Sequence, residues 1–150
     1  VNDSIRWVRE ADRIAAGDIP VGGRPVLDLS ELAGTWVNTD PGSRGIASVI
    51  LRPHHGGAAG DPAGVALGVR PVGAFDWGEA IAGSLYADGP VSRRGMGFLV
   101  RFDFGFLTSE VQGNMNLGLL ILASFNAWQD GSGRSPYFAR EFFRQAGAPR

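Results

Sequence analysis

The sequence predicts an all-β fold: an eight-stranded, antiparallel, up-and-down barrel preceded by an N-terminal helical arm. Three observations predict it. After residue 34 the chain becomes a run of strand-length segments, each bounded by Gly, Pro, Asp or Ser. Within them apolar and polar residues alternate, as in Phe98, Val100, Phe102, Phe104 and Phe106 against Leu99, Arg101, Asp103 and Gly105. Eight such segments is the number that closes into a small barrel with room for one ligand.

The elements follow in order. Residues 3–16 read as a helix, with Asp3 or Ser4 as its cap and Gly17 and Pro20 ending it. Residues 17–30 are rich in Gly and Pro and read as an extended linker. Residues 1–30 thus form an arm that either covers the barrel mouth or packs on a second copy, making a homodimer. Residues 31–150 form the barrel domain. Its strands are expected at 34–39, 45–52, 64–72, 77–87, 96–105, 108–117, 119–128 and 137–145. Glycines inside them, such as Gly68, Gly83 and Gly113, suit the bends that closure requires.

Composition narrows the function classes. The 150 residues suffice for one domain with a real core. With no cysteine, disulfides and thiolate metal sites are excluded. The net charge of -1 and the scattered arginines do not suit a nucleic-acid binder. All 14 basic residues are Arg, which removes Schiff-base and P-loop lysine chemistry and reads as the codon bias of a GC-rich bacterial genome. The longest apolar run, Leu119 to Ala123, is far too short to span a bilayer. The first dozen residues carry Asp3, Arg6, Arg9, Glu10 and Asp12, unlike a signal peptide, so a cytoplasmic protein without membrane contact is expected. His54 and His55 sit in a Pro/Gly-rich stretch with no third ligand nearby, so no metal is expected. No other cofactor is signalled.

Alternation defines two faces per strand but not which one points inward. Either the Phe face of 98–106 lines the interior, or it packs outward against the arm or a second copy. Large aromatics set against many Gly and Ala residues favour a cavity over a filled core. The expected ligand-lining set is Trp36, Asn38, Trp77, Phe98, Phe102, Phe104, Met115, Leu122, Phe125 and Trp128.

Leu32-Ala33-Gly34-Thr35-Trp36-Val37-Asn38 resembles the opening strand of the calycin superfamily, which includes lipocalins and avidins. That resemblance implies a Trp36 plug at the barrel bottom, an arginine cover from Arg140 or Arg144, and ligand contact by Asn38. The rest of the avidin binding set has no counterpart. A second resemblance joins Trp36-Val37-Asn38-Thr39-Asp40-Pro41, Arg44-Gly45-Ile46, Asp76-Trp77-Gly78 and Ser132-Gly133-Arg134-Ser135-Pro136-Tyr137. These motifs are similar to those of a group of bacterial domains in which Cys flanks the Asp-Trp-Gly; this chain has Phe75 there and no Cys. Calycin-type barrels include natural-product cyclases, so the resemblance implies that kind of scaffold.

Among the polar motifs, Asp40-Pro41-Gly42-Ser43 reads as a turn, with Arg44 clamped to Asp40 or Asp76. Asp76 and Glu79 flank Trp77, where a desolvated carboxyl would serve as a general acid; an ion pair with an arginine is the plainer alternative. Ser84, Ser109, Ser124 and Ser132 lack the context of a catalytic nucleophile. The expected catalytic groups are Asp76, Glu79 and Tyr86, with Asn38 assisting. The expected function is cofactor-free cyclisation or isomerisation of a hydrophobic, polyketide-like molecule, driven by shape and by one or two polar groups. The alternatives are a non-catalytic carrier or sensor with the same cavity, and a homodimeric interaction module.

Overall fold

A computed structural model describes residues 26–54, 64–71 and 76–147. Among them the fold is all-β and antiparallel. The strands are β1 (Gly34–Asn38), β2 (Ile46–His54), β3 (Gly64–Pro71), β4 (Glu79–Ile81), β5 (Ser84–Ala87), β6 (Gly95–Asp103), β7 (Leu107–Asn116), β8 (Leu119–Trp128) and β9 (Tyr137–Gln145). They form one curled sheet in the order β4-β3-β2-β1-β9-β8-β7-β6-β5. Strands adjacent in sequence pair with each other, except β4 and β5, which lie at opposite edges of the sheet, and first pairs with last through β1 and β9. The expected helix at 3–16 lies outside the described residues, as does Phe75.

Nine strands replace the expected eight because the 77–87 segment changes partner midway. β4 pairs with β3 and β5 with β6. Between them Ala82 donates its N–H to the Val65 carbonyl at 2.8 Å, and Gly83 donates to Leu99 at 3.0 Å. One short segment therefore touches both edges of the curled sheet. Register shifts between Ile46 and Ser48 and between Tyr86 and Ala87 add local twist, as bulges do.

The Phe face of 98–106 points inward: Phe98, Val100 and Phe102 are buried, while Arg101 and Asp103 are exposed. Burial of apolar area decides this direction, because outward placement would leave three large side chains in water. Part of the interior is a packed core. Trp36, Phe143, Leu120, Leu122, Phe98 and Val111 are almost fully buried there. Phe98 lies across Gly113, its direct partner on β7, where no other residue would leave space for the ring.

The Leu27–Ser30 stretch, assigned to the arm, is docked on this end. Asp28 bridges Arg94, and Gly95 donates to the Asp28 carbonyl at 2.7 Å. Glu31 grips the Arg94 guanidinium through both oxygens at 2.7 and 2.8 Å. Leu32 is fully buried, and its carbonyl accepts the Trp36 indole N–H at 2.9 Å. Trp36 is therefore held in the core beside Leu32. The expected arginine cover is not formed. Arg140 lies over the Phe142 ring, and Arg144 pairs with Val37; alternation places both opposite Glu141 and Phe143, on the outer face.

The β7–β8 link is a two-residue hairpin, Leu117 and Gly118, with φ of 51° and 77°. Positive φ at both positions matches the twist of the flanking strands. No helix among the described residues is long and apolar enough to cross a membrane.

Candidate functional site

The inward faces of β7, β8 and β9 change character along their length. In the packed core they carry Val111, Leu120, Leu122 and Phe143; toward the other, open end they carry Ser109, Ser124, Asn126 and Glu141. Register makes Ser109 face Asn126 and makes Ser124 face Ala139. This open end holds a cavity of about 480 Å³.

A continuous run of rings lines one side of the cavity. Trp77 meets Phe102 and Phe104 edge-on, each at 5.3 Å between centroids. Phe104 stacks on Phe106 at 6.2 Å, Phe106 on Trp128 at 6.5 Å, and Trp128 leans on Tyr137 at 6.3 Å. Trp77, Phe106, Trp128 and Tyr137 face the cavity directly. Such ring pairs are worth about 0.5–1.5 kcal/mol each beyond the area they bury.

Two arginines stand at the rim. Arg134 covers Trp128, its guanidinium carbon 3.3 Å from the ring centre. It is held there by Asp130, with which it forms an ion pair, and by the Ser132 hydroxyl, to which its Nε donates at 2.9 Å. The Ser132 hydroxyl and its backbone N–H hold the Asp130 carboxyl at about 2, with Arg134 adding to the effect. A depressed carboxyl stabilises the fold above its unfolded value of 3.8, and that contribution disappears as pH falls through about 2. In an NMR titration Asp130 should show a midpoint near 2, and Ser132→Ala and Arg134→Ala should each raise it. Arg44, the second arginine, lines the cavity and among the described residues pairs with neither Asp40 nor Asp76.

Glu141 fastens the β1–β2 connection to this end. Its carboxylate accepts from Asn38 Nδ2 at 3.0 Å, Ser43 Oγ at 2.5 Å and the Ile46 N–H at 3.2 Å. Asn38 also donates to the Ile46 carbonyl at 2.8 Å and accepts from the Asp40 N–H at 2.8 Å. Asp40 in turn accepts from Gly42, so 40–43 is a turn. Asn38 thus has every polar atom engaged in shaping the loop that carries Arg44.

The expected catalytic groups are not brought together. Asp76 is exposed and accepts from the Gly78 N–H at 2.9 Å. Glu79 lies on the outer face in an exposed ion pair with Arg52 at 3.1 Å. Tyr86 is 52% exposed, opposite Gly97. Of the expected ligand-lining residues, Trp77 and Trp128 face the cavity and Phe102 and Phe104 back the Trp77 ring. Trp36, Phe98 and Leu122 fill the core, with Met115 packed against it. Phe125 is on the outer face, 49% exposed and 5.2 Å from Phe138, because it alternates with the inward Ser124 and Asn126.

Arg44, Arg134, Tyr137, Ser109, Ser124, Asn126 and Glu141 were missing from the expected site. The visible signal was the run of inward positions 120, 122, 124 and 126, apolar and then polar on one face. A second concavity of about 550 Å³ lies beside the 39–43 turn and Arg144, but no aromatic ring lines it. Among the described residues, no group of three or more His, Asp or Glu gathers in a way that would hold a metal.

Fold and cavity together define an all-β, barrel-like protein with a packed core and an open end lined on one side by rings. No family model matches the chain, and no curated protein or solved structure does either.

Proposed function

We propose that the protein binds one flat, ring-bearing small molecule in its open end and does not convert it. The observation that carries this reading is the run of rings, or belt, along one side of a cavity of about 480 Å³, within the roughly 300–1,000 Å³ range of small-molecule sites. Rings stack on rings without demanding one particular substitution pattern, so the belt selects for flatness. Arg44 offers an acidic group on the ligand a partner at the rim. Cyclisation of a polyketide-like substrate would use the same cavity, but Asp76, Glu79 and Tyr86 supply no proton donor there. The Glu141 carboxylate is already occupied by three donors. Carriage or sensing is therefore the better-supported reading.

The test is calorimetric titration with 2-naphthoate. We expect saturable binding at one site, recovery of the ligand with unchanged mass, and about tenfold weaker binding in Trp128→Ala, equivalent to about 1.4 kcal/mol and near the upper end for loss of one stacking ring. Absence of saturable binding by the folded protein would overturn the proposal.

A further inference from the structure

The outer face of β8 departs from the pattern its neighbour keeps. On β7 the outward residues Thr108, Glu110, Gln112, Asn114 and Asn116 are all polar. On β8 the outward residues alternate with the inward Leu120, Leu122, Ser124 and Asn126. They are Leu119, Ile121, Ala123, Phe125 and Ala127. None is polar, and none belongs to the core cluster. Phe138 and Phe142 of β9 stand beside this stripe, in register with Phe125 and Ile121. Phe125, Phe138 and Phe142 are 49%, 57% and 40% exposed. A strand apolar on both faces suits a sheet covered on both sides, and apolar side chains gathered in one exposed patch mark a contact.

We infer that this face packs against the same face of a second copy, giving a two-fold dimer. The inference does not rest on the bound ligand. Charge selects the occupant. Glu110 borders the stripe on the β7 side, opposite Phe125, and Arg140 borders it on the β9 side, opposite Ala123. Among the described residues neither forms an ion pair. Arg140 lies over the Phe142 ring, and Glu110 makes no ion pair with Arg101, its partner on β6. A two-fold axis along β8 sets β7 of each copy over β9 of the other, so each Glu110 comes beside the other copy's Phe138 and Arg140. An axis across β8 would set β9 on β9 and turn Arg140 and Arg144 toward the strand that carries the same arginines. Packed sheets lie about 10 Å apart with strands within about 30° of each other, a gap that phenylalanines and long charged side chains fill. A two-fold contact uses one patch twice, and a patch with opposite charges on its two flanks fits itself.

Sedimentation velocity on the full chain at micromolar concentration tests this. The wild type should run as a dimer, and Phe138→Asp should weaken it by about tenfold or more. Phe138 points away from the core, so this variant should keep its strand content by circular dichroism. Glu110→Arg and Arg140→Glu should each weaken the dimer, and combining them should recover most of the loss. Within one copy these two residues lie two strands apart, and repulsion from Arg101 is the same in Glu110→Arg and in the combined variant. Recovery therefore reads the contact between copies. The chain has no cysteine, so Ala123→Cys supplies a single thiol at the axis, and a short bis-maleimide should join two copies through it. A monomeric wild type would overturn the inference and mean that the chain covers the stripe itself or leaves it bare. A dimer that withstands Phe138→Asp and both charge reversals uses another face and would overturn it equally.

Discussion

Gly113→Ala should unfold the protein at a markedly lower temperature, by roughly 10 °C, for a loss of about 3 kcal/mol. The added methyl would sit inside the contact distance of the Phe98 ring, with three of its carbons as nearest neighbours. The ring has nowhere to go: Phe98 is fully buried among Val100, Val111 and Leu122 in the same cluster. Overpacking normally costs about 1–3 kcal/mol, and a methyl driven into the outer end of a confined ring belongs at the upper end. Thermal unfolding by circular dichroism measures it. Phe98→Leu in the Gly113→Ala background should recover part of the loss, since the two residues face each other and their effects will not add. A melting point within a degree of wild type would show that the ring does not cross the glycine.

The second large effect concerns Glu141. Glu141→Ala should cost about 2 kcal/mol and also weaken ligand binding several-fold. Truncation removes the acceptor for the Ile46 N–H, for Ser43 and for one Asn38 bond. A part-buried donor left without an acceptor costs about 1–3 kcal/mol. The loop these bonds hold carries Arg44, Gly45 and Ile46, all on the cavity wall, so stability and binding should fall together. Glu141→Gln keeps one oxygen and most of the shape and should lose about half as much. Urea unfolding supplies the stability change, and an unchanged slope shows that the unfolding reaction is the same. Glu141→Ala with wild-type stability and wild-type affinity would mean that the loop holds itself.

Much of the β-structure is legible in the residues. β8 and β9 span the expected 119–128 and 137–145, because Asn116–Gly118 and the Gly131–Pro136 stretch end them with turn chemistry. β6 and β7 shift by one or two residues. The 77–87 segment was misread because partner exchange at Ala82–Gly83 leaves no local mark: the residues remain strand-like on both sides. The site was less legible. Asp76, Glu79 and Tyr86 stood out by residue type beside a tryptophan, yet side-chain direction assigns Glu79 and Tyr86 to the outer surface. Ser109, Ser124 and Asn126 drew little notice because a serine or asparagine acquires meaning only when its surroundings are dry.

What the chain alone determined is the all-β class, the period-two faces and the punctuation between strands, since these are properties of a pleated backbone and of turn residues a few positions apart. What tertiary structure decided is which face turned inward, where the sheet exchanged partners, and that Arg44, Trp77, Asn126, Tyr137 and Glu141 share one cavity. Those outcomes depend on register between strands distant in sequence and on the burial that register permits, and neither is written in any single segment.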